Sequence, residues 1–553
     1  MKRAAGLAVF SAMLLAAASA PASPWRLDAF RRIVVLEQGR PKPLDTYARS
    51  LLQRFSGHSA LPGLDASAWL ARVLFTPRAS LGDKVFLVDR PDVLASIGLG
   101  DAGRGRYSFD DLRPGLNRLH RLAVHGAGAE RQGRFEAEVQ RLFANVSSYY
   151  ALLDAFAFAR ADGAITGATP RGPAILPPAA GPDRAWLGPA EVLSGDQAPT
   201  AAMRREIEWL SQACRAYAAN DEASFERFLA GFDRALRERL GPRAVPPRKV
   251  SLEIFYNRLD PFLKARLAYG LALLLLLLSL AFRRRLLERL SFLALLAGFL
   301  LHGGGLLLRI LITGRPPVTN LYETFVFVAW AAAGLGMVMA RLQRSGLGLL
   351  AGGLAGLAFL VIAGRYGLDG DTMGMLAAVL DSNLWLATHV VTIALGYAGC
   401  LVAGIIGHAV LIQEIRGRRA AAGTVRSLYA VLAFGLIFTC IGTLMGGIWA
   451  DLSWGRFWGW DPKENGALLI ILWCAALFHA RRAGWIGRIG LAAGAVGAGI
   501  AVALVWLGVN LLGVGLHSYG FTSGAARGLL AFVTAELAFL AVAVPLALKK
   551  GGA

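Results

Sequence analysis

From residue 265 to residue 547 the chain is a succession of long apolar runs punctuated by arginines, and no other feature restricts its possible folds so strongly. The first run is Ala265 to Phe282, and the others fall near 290–312, 321–340, 345–364, 385–412, 427–449, 466–480, 488–510 and 527–547. Each is about the length an α-helix needs to cross the hydrocarbon of a bilayer. With 55% of 553 residues hydrophobic, the expected fold is an α-helical polytopic membrane protein, its membrane domain covering 265–548 with about nine spans. The formal net charge of +21 is read through topology before nucleic acid is considered. Arg283, Arg284 and Arg285, then Arg341 and Arg344, Arg416, Arg418, Arg419 and Arg426, Arg481, Arg482 and Arg488, and Lys549 and Lys550 fall in alternate links. The positive-inside rule places those links in the cytoplasm. No basic nucleic-acid motif interrupts that reading, so the bilayer is the expected partner and nucleic acid is not.

The region before the first span is of another kind. Lys2 and Arg3, an apolar run from Leu7 to Ala18 and the small residues Ala18, Ala20 and Ala22 make a signal-peptide pattern over 1–22, whether cleaved or kept as an anchor. Residues 23–260 then read as a soluble, mainly helical (α+β) domain, expected outside the cytoplasm. Phe135, Val139, Leu142, Phe143 and Val146 recur at helical spacing, as do Ile207, Leu210 and Cys214. Lys84 to Asp89, KVFLVD, is the best strand candidate. A Pro/Gly-rich stretch between about Asp162 and Arg184 reads as a loop or hinge. The four cysteines, Cys214, Cys400, Cys440 and Cys474, form no C-x-x-C or C-x-x-C-H, so the chain is neither a thioredoxin-like reductant nor itself a c-type cytochrome.

Within the membrane domain one stretch departs from the greasy background. Trp454 to Asn465 reads WGRFWGWDPKEN, inside a segment 451–465 expected at the external surface. Trp454, Phe457, Trp458 and Trp460 offer flat apolar faces with indole donors at their rims, suited to a large planar ligand at a membrane–water boundary. Gly455 and Gly459 permit close backbone approach, and Pro462 keeps the segment from continuing as a helix. Asp461, Lys463 and Glu464 can pair with one another or cap the following helix, and Arg456 and Lys463 can meet acidic groups of a ligand. His389 and His517 share the tract's depth and flank it in sequence, an arrangement in which two imidazoles can ligate one heme iron from opposite faces. His479 falls near the cytoplasmic end. His302 and His408 read as packing residues, His408 lying about 28 Å deeper than His389 on one helix.

The tract resembles the tryptophan-rich WWD signature of heme-handling proteins in cytochrome c biogenesis. GRPPVTNLYET at Gly314 to Thr324 and LHSYGF at Leu516 to Phe521 narrow the resemblance to the CcsA (ResC) family, over roughly residues 290 to 545. Val34 to Ala48, VVLEQGRPKPLDTYA, and Lys249 to Phe262, KVSLEIFYNRLDPF, are similar to the extracytoplasmic region of fused CcsBA synthases. The resemblance implies heme b as substrate, His389 and His517 as ligands of an external heme iron, and His479 as ligand of an inner one. It further implies a CcsB/ResB-type membrane subunit as partner, because no CcsB-like spans stand upstream of Ser23. The expected function is that of a holocytochrome c synthase (heme lyase) component of the inner membrane, which moves heme to the WWD pocket for thioether attachment to an apocytochrome c bearing C-x-x-C-H. The open alternatives are a CcmF- or CcmC-like lyase or chaperone, a b-type electron carrier, and a non-enzymatic heme transporter or scaffold.

Overall fold

A computed structural model describes residues 25–100, 105–126, 133–166, 172–178, 185–195, 198–343, 346–376, 382–512 and 525–551. The expected signal segment, about half of the Pro/Gly-rich stretch and His517 lie outside the described residues. The described residues divide into two units, one of Asp260–Tyr366 and the described residues from Leu376 onward, the other of residues 25–259 together with Gly367–Met375.

The first unit is a bundle of long helices, and the protein is a multi-pass membrane protein. Its helices are α1 (Pro261–Phe282), α2 (Arg285–Thr313), α3 (Leu321–Gln343), α4 (Gly346–Tyr366), α5 (Val391–Ile415), α6 (Ala422–Trp454), α7 (Pro462–Arg482), α8 (Arg488–Ala503) and α9 (Ala525–Gly551). π-helical turns at Leu386–Val390 and Leu504–Gly508 precede α5 and follow α8. Among the described residues nine helices are long and apolar enough to cross a membrane, and eight of them coincide with expected spans. The ninth, Arg134–Ala159, belongs to the other unit, where Val139, Leu142, Val146, Tyr149 and Leu152 are buried in a hydrophobic core. A well-buried core helix can be long and apolar enough to resemble a span, although it is less hydrophobic than the other eight.

Conversely α7, expected as a span at 466–480, falls short on composition because it opens with Lys463 and Glu464 and closes with His479, Arg481 and Arg482. Its packing nevertheless carries it antiparallel along α8. Gly466 meets Val505, Trp473 meets Gly497 and Leu477 meets Gly494. Small residues do the same between α5 and α6, where a Cβ on Gly399 would lie 2.8 Å from Gly435 Cα and one on Gly442 would lie 2.9 Å from the Ile393 amide. Helices in lipid gain little from hydrophobicity and associate through such close backbone approach.

The GRPPVTNLYET link acquires a structural account. Asn320 caps α3 by accepting from the Glu323 amide at 2.9 Å. The Glu323 carboxylate accepts from the Thr319 amide and hydroxyl, at 2.9 and 2.6 Å, and from Arg309 of α2 at 2.6 Å. Both charged side chains are 1% exposed, and the Arg309 guanidinium lies over the Tyr322 ring. An ion pair this deeply buried holds its place only because the remaining carboxylate lone pairs are also satisfied.

The second unit is mainly helical with three two-stranded antiparallel ribbons. KVFLVD forms a strand at Phe86–Val88, paired with Gly105–Tyr107, and the two amphipathic patterns form helices Arg134–Leu153 and Ala201–Ala218. Trp69, Tyr149, Phe30, Phe55, Phe86 and Phe225 fill the core. The two motifs resembling fused synthases meet here. VVLEQGRPKPLDTYA makes a hairpin, Val34–Glu37 against Arg40–Pro43, and then a helix. Helix Pro247–Leu259 lays Glu253 against Arg40 at 2.9 Å and Thr46 at 2.8 Å, and Asn257 against Asp45 and Thr46. Asp371, in the segment Gly367–Met375 that follows α4, completes the cluster with Arg40 and Lys42, each at 2.8 Å. Burial works against ionisation of Asp371, yet the two cations outweigh it and hold its carboxyl well below the usual carboxylate range.

Candidate functional site

The helical part of α6 runs through Trp454, so the expected loop is shorter than its motif. Gly455, in the left-handed region at φ 70°, ends the helix by donating its amide to Asp451 at 2.8 Å. Helix α7 begins at Pro462, where Asp461 caps it and Glu464 reaches back to the Asp461 amide at 3.0 Å. Only residues 455–461 are non-helical. The same Glu464 oxygen accepts from the Gly459 amide at 2.8 Å, and Asn465 donates to the Trp460 carbonyl at 3.0 Å. These bonds bracket Trp460, a non-glycine residue at φ 56°, a conformation that persists only when its surroundings enforce it. Asp461 thus takes the capping role foreseen for it.

The aromatic residues are presented unequally. Trp460 is 70% exposed and Phe457 46%, whereas Trp454 and Trp458 are half-buried. Trp458 and Trp460 meet edge to face, with centroids 6.0 Å apart. The Phe457 ring folds back onto α6 at Gly447, where a Cβ would come within 2.6 Å of it. Arg456 covers Gly459 and enters no hydrogen bond or ion pair among the described residues. Lys463 differs: its ammonium is bonded to the carbonyls of Val505 and Trp506, at 3.0 and 2.9 Å.

Alternation of the helices brings residues 382–390 to the end of the bundle that holds the tract. There the π-helical turn presents His389 to α6. Its Nδ1 lies 2.7 Å from the Gly442 carbonyl, and since a carbonyl can only accept, Nδ1 donates. A ring nitrogen held by a backbone carbonyl is a contact commonly made by metal-binding imidazoles. The ring stands edge-on to Trp449 at 5.8 Å, and Trp449 is parallel to Trp385, 6.4 Å away. His389 also rests on Gly446. Trp449, Trp385 and the glycines at 442 and 446 were not singled out from sequence; the small-residue spacing of GTLMGG in α6 is the signal that could have found them.

The other histidines separate cleanly. His479 is exposed at the opposite end of α7, its Nδ1 2.8 Å from the Ala475 carbonyl. His408 bonds Glu536 of α9 through Nε2 at 3.0 Å and stacks on Phe539, so its ring is committed to helix packing. His302 is fully buried between Tyr269 and Phe262. Among the described residues no group of three or more His, Cys, Asp or Glu stands in metal-binding geometry.

Residues 318–517 match the family model described as cytochrome C assembly protein, a range that includes the tract, His389, His479 and His517. The cytochrome c biogenesis protein CcsA of Synechococcus sp. (strain CC9311) is 32% identical over 309 residues, 48% of this chain and 100% of that protein. The chain belongs to the CcsA family. A second CcsA, from Synechococcus sp. (strain CC9605), is 32% identical over 257 residues, 40% of this chain and 84% of its own length. Protein NrfI of Wolinella succinogenes is 27% identical over 521 residues. That match covers 88% of this chain, the N-terminal unit included, and 54% of NrfI, so the chain spans about half of NrfI's length. Of the motifs that carry the resemblance, WGRFWGWDPKEN lies at the α6–α7 link and GRPPVTNLYET at the α2–α3 link. The His517 motif lies in the segment between α8 and α9.

Proposed function

We propose that this CcsA-family protein handles heme as its substrate, holding it at the tryptophan tract for covalent attachment to an apocytochrome c. His389 is one axial ligand of the external heme iron and His517 the other. Trp454, Phe457, Trp458 and Trp460 supply the apolar wall, Gly455 leaves room at its edge, and Arg456 is the cation for a propionate. The single observation that carries this reading is the placement of the His389 imidazole at the tract's end of the bundle, oriented by the Gly442 carbonyl with an indole at its side. Asp461 serves the site by shaping it.

At the other end of α7, His479 takes the inner heme, and the second imidazole for that iron comes from a CcsB/ResB-type subunit. His408 is a poor substitute, since Glu536 and Phe539 hold its ring. The tract and residues 23–260 lie on the extracytoplasmic side of the inner membrane, with the arginine-rich links in the cytoplasm. Two cysteine thiols of the C-x-x-C-H segment then add across two vinyl groups of heme. In each addition a carbon–sulfur bond forms and the thiol proton passes to the neighbouring carbon, so no oxidant is consumed. The protein contributes position and control of ligation, acting as a component of a cytochrome c synthase.

Co-expression with a CcsB/ResB-type subunit and a C-x-x-C-H apocytochrome tests the proposal. Thioether-bound heme should form with the native chain, fall to background with His389→Ala, and return in part when imidazole is supplied. Wild-type maturation by His389→Ala would refute it.

A further inference from the structure

The first turn of α7 does something the ligand chemistry does not require: three consecutive side chains are all directed at backbone. Glu464 gathers the Gly459 and Asp461 amides, Asn465 holds the Trp460 carbonyl, and Lys463 reaches across to the Val505 and Trp506 carbonyls. We propose that Lys463 is a positioning residue, which registers the tryptophan tract against the π-helical turn at the end of α8, and is not a partner of heme propionates. The inference rests on the heme-presentation reading and assigns that site its mechanical anchor.

Four features of the structure support it. First, the two acceptors lie in Leu504–Gly508, where the chain is π-helical. The wider turn displaces carbonyls from the α-helical ladder and turns them toward a lateral donor. Second, they stand near the C-terminal end of the α8 segment, the negative end of its dipole, where a cation is stabilised. Third, Lys463 can reach them because Gly466, one turn later, has no side chain: a Cβ there would lie 2.6 Å from Val505. Fourth, the acceptor is itself rigid. The Trp506 ring packs on Phe325 of α3 at 4.3 Å, Tyr397 of α5 at 6.0 Å and Phe359 of α4 at 6.2 Å. Lys463 therefore ties the tract to a cluster spanning four helices. Arg456, which covers Gly459, makes no such bond among the described residues.

Hydrogen–deuterium exchange of the heme-free, detergent-solubilised full chain tests the proposal, with spectra of the heme-loaded protein as a second readout. Lys463→Met should speed exchange about tenfold at residues 459–461 and 504–512, the factor expected from losing charge-assisted bonds, and should lower retained heme. Lys463→Arg, which keeps two donors, should restore both. Glu464→Gln should release the 459–461 amides while sparing 504–512. Heme loss in Lys463→Met with exchange unchanged would overturn the proposal in favour of a direct propionate contact, and an unchanged Lys463→Met in both readouts would overturn it outright. Because the exchange measurement uses heme-free protein, its failure is separable from failure of the heme reading, which the His389 variants decide.

Discussion

Replacing Gly446 by alanine isolates the contribution of the His389 imidazole without touching the histidine. A Cβ at 446 would lie 2.6 Å from His389 Cε1, 3.0 Å from Nδ1 and 3.2 Å from Nε2. Carbon contacts relax at about 3.5–4.0 Å, so the ring must retreat by roughly 1 Å. That movement stretches the 2.7 Å bond to the Gly442 carbonyl beyond hydrogen-bond range, at a net cost of about 1 kcal/mol. Overpacking adds about 1–3 kcal/mol. The sum, about 2–4 kcal/mol, corresponds to roughly a 30- to 1,000-fold loss in occupancy of the ligating position at 1.4 kcal/mol per decade. The neighbouring change Gly447→Ala is the control, since its Cβ would strike the Phe457 ring at 2.6–2.9 Å and leave the imidazole alone. Pyridine hemochrome quantitation and the Soret band of purified variants give the readout. Gly446→Ala should lose low-spin bis-imidazole character and recover part of it with added imidazole, whereas Gly447→Ala should lose heme without imidazole rescue. A Gly446→Ala protein with wild-type spectrum and heme content would refute the placement of His389 as an iron ligand.

Two further outcomes follow from the buried charges. Asp371→Asn should destabilise the N-terminal unit by about 2–3 kcal/mol, somewhat less than for a fully broken buried pair, because Glu37 still holds Lys42 and Glu253 still holds Arg40. Since the Asp371 carboxyl is held below its unfolded value, its contribution is complete above about pH 4 and is lost as pH falls further; thermal melts of the native protein should show that acid-side loss and Asp371→Asn should lack that part of it. Glu323→Gln leaves Arg309 buried without its counter-charge and should cost about 3–5 kcal/mol, read as a lowered unfolding midpoint in detergent, with Arg309→Met combined with Glu323→Gln recovering much of it.

The apolar runs made the membrane helices legible because burial in lipid imposes a length on each helix. Composition was a worse guide where a helix does two jobs. Helix α7 carries the charged capping and clamping residues of the tract at one end and His479 with two arginines at the other, which dilutes an otherwise spanning helix. Helix Arg134–Leu153 carries enough buried apolar residues to imitate a span. The tract itself was legible as a break between helices, since its glycines and Pro462 end one helix and begin the next. The supporting contacts were not. His389 meets Gly442 across 53 residues of sequence and Lys463 meets Trp506 across 43, and both depend on π-helical turns, which no periodicity in the residues announces. Lys463 and Arg456 looked equivalent as cations beside the tract; only packing distinguishes the anchored one from the one still presented.

The most direct test of heme presentation is the absorption spectrum of the purified chain, oxidised and reduced, alone and with a CcsB/ResB-type partner. A Soret band with the split visible bands of reduced bis-imidazole heme, weakened by His389→Ala and partly restored by imidazole, is the predicted result. A chain that purifies without heme in every one of these conditions, or whose heme spectrum is indifferent to His389, would contradict the account.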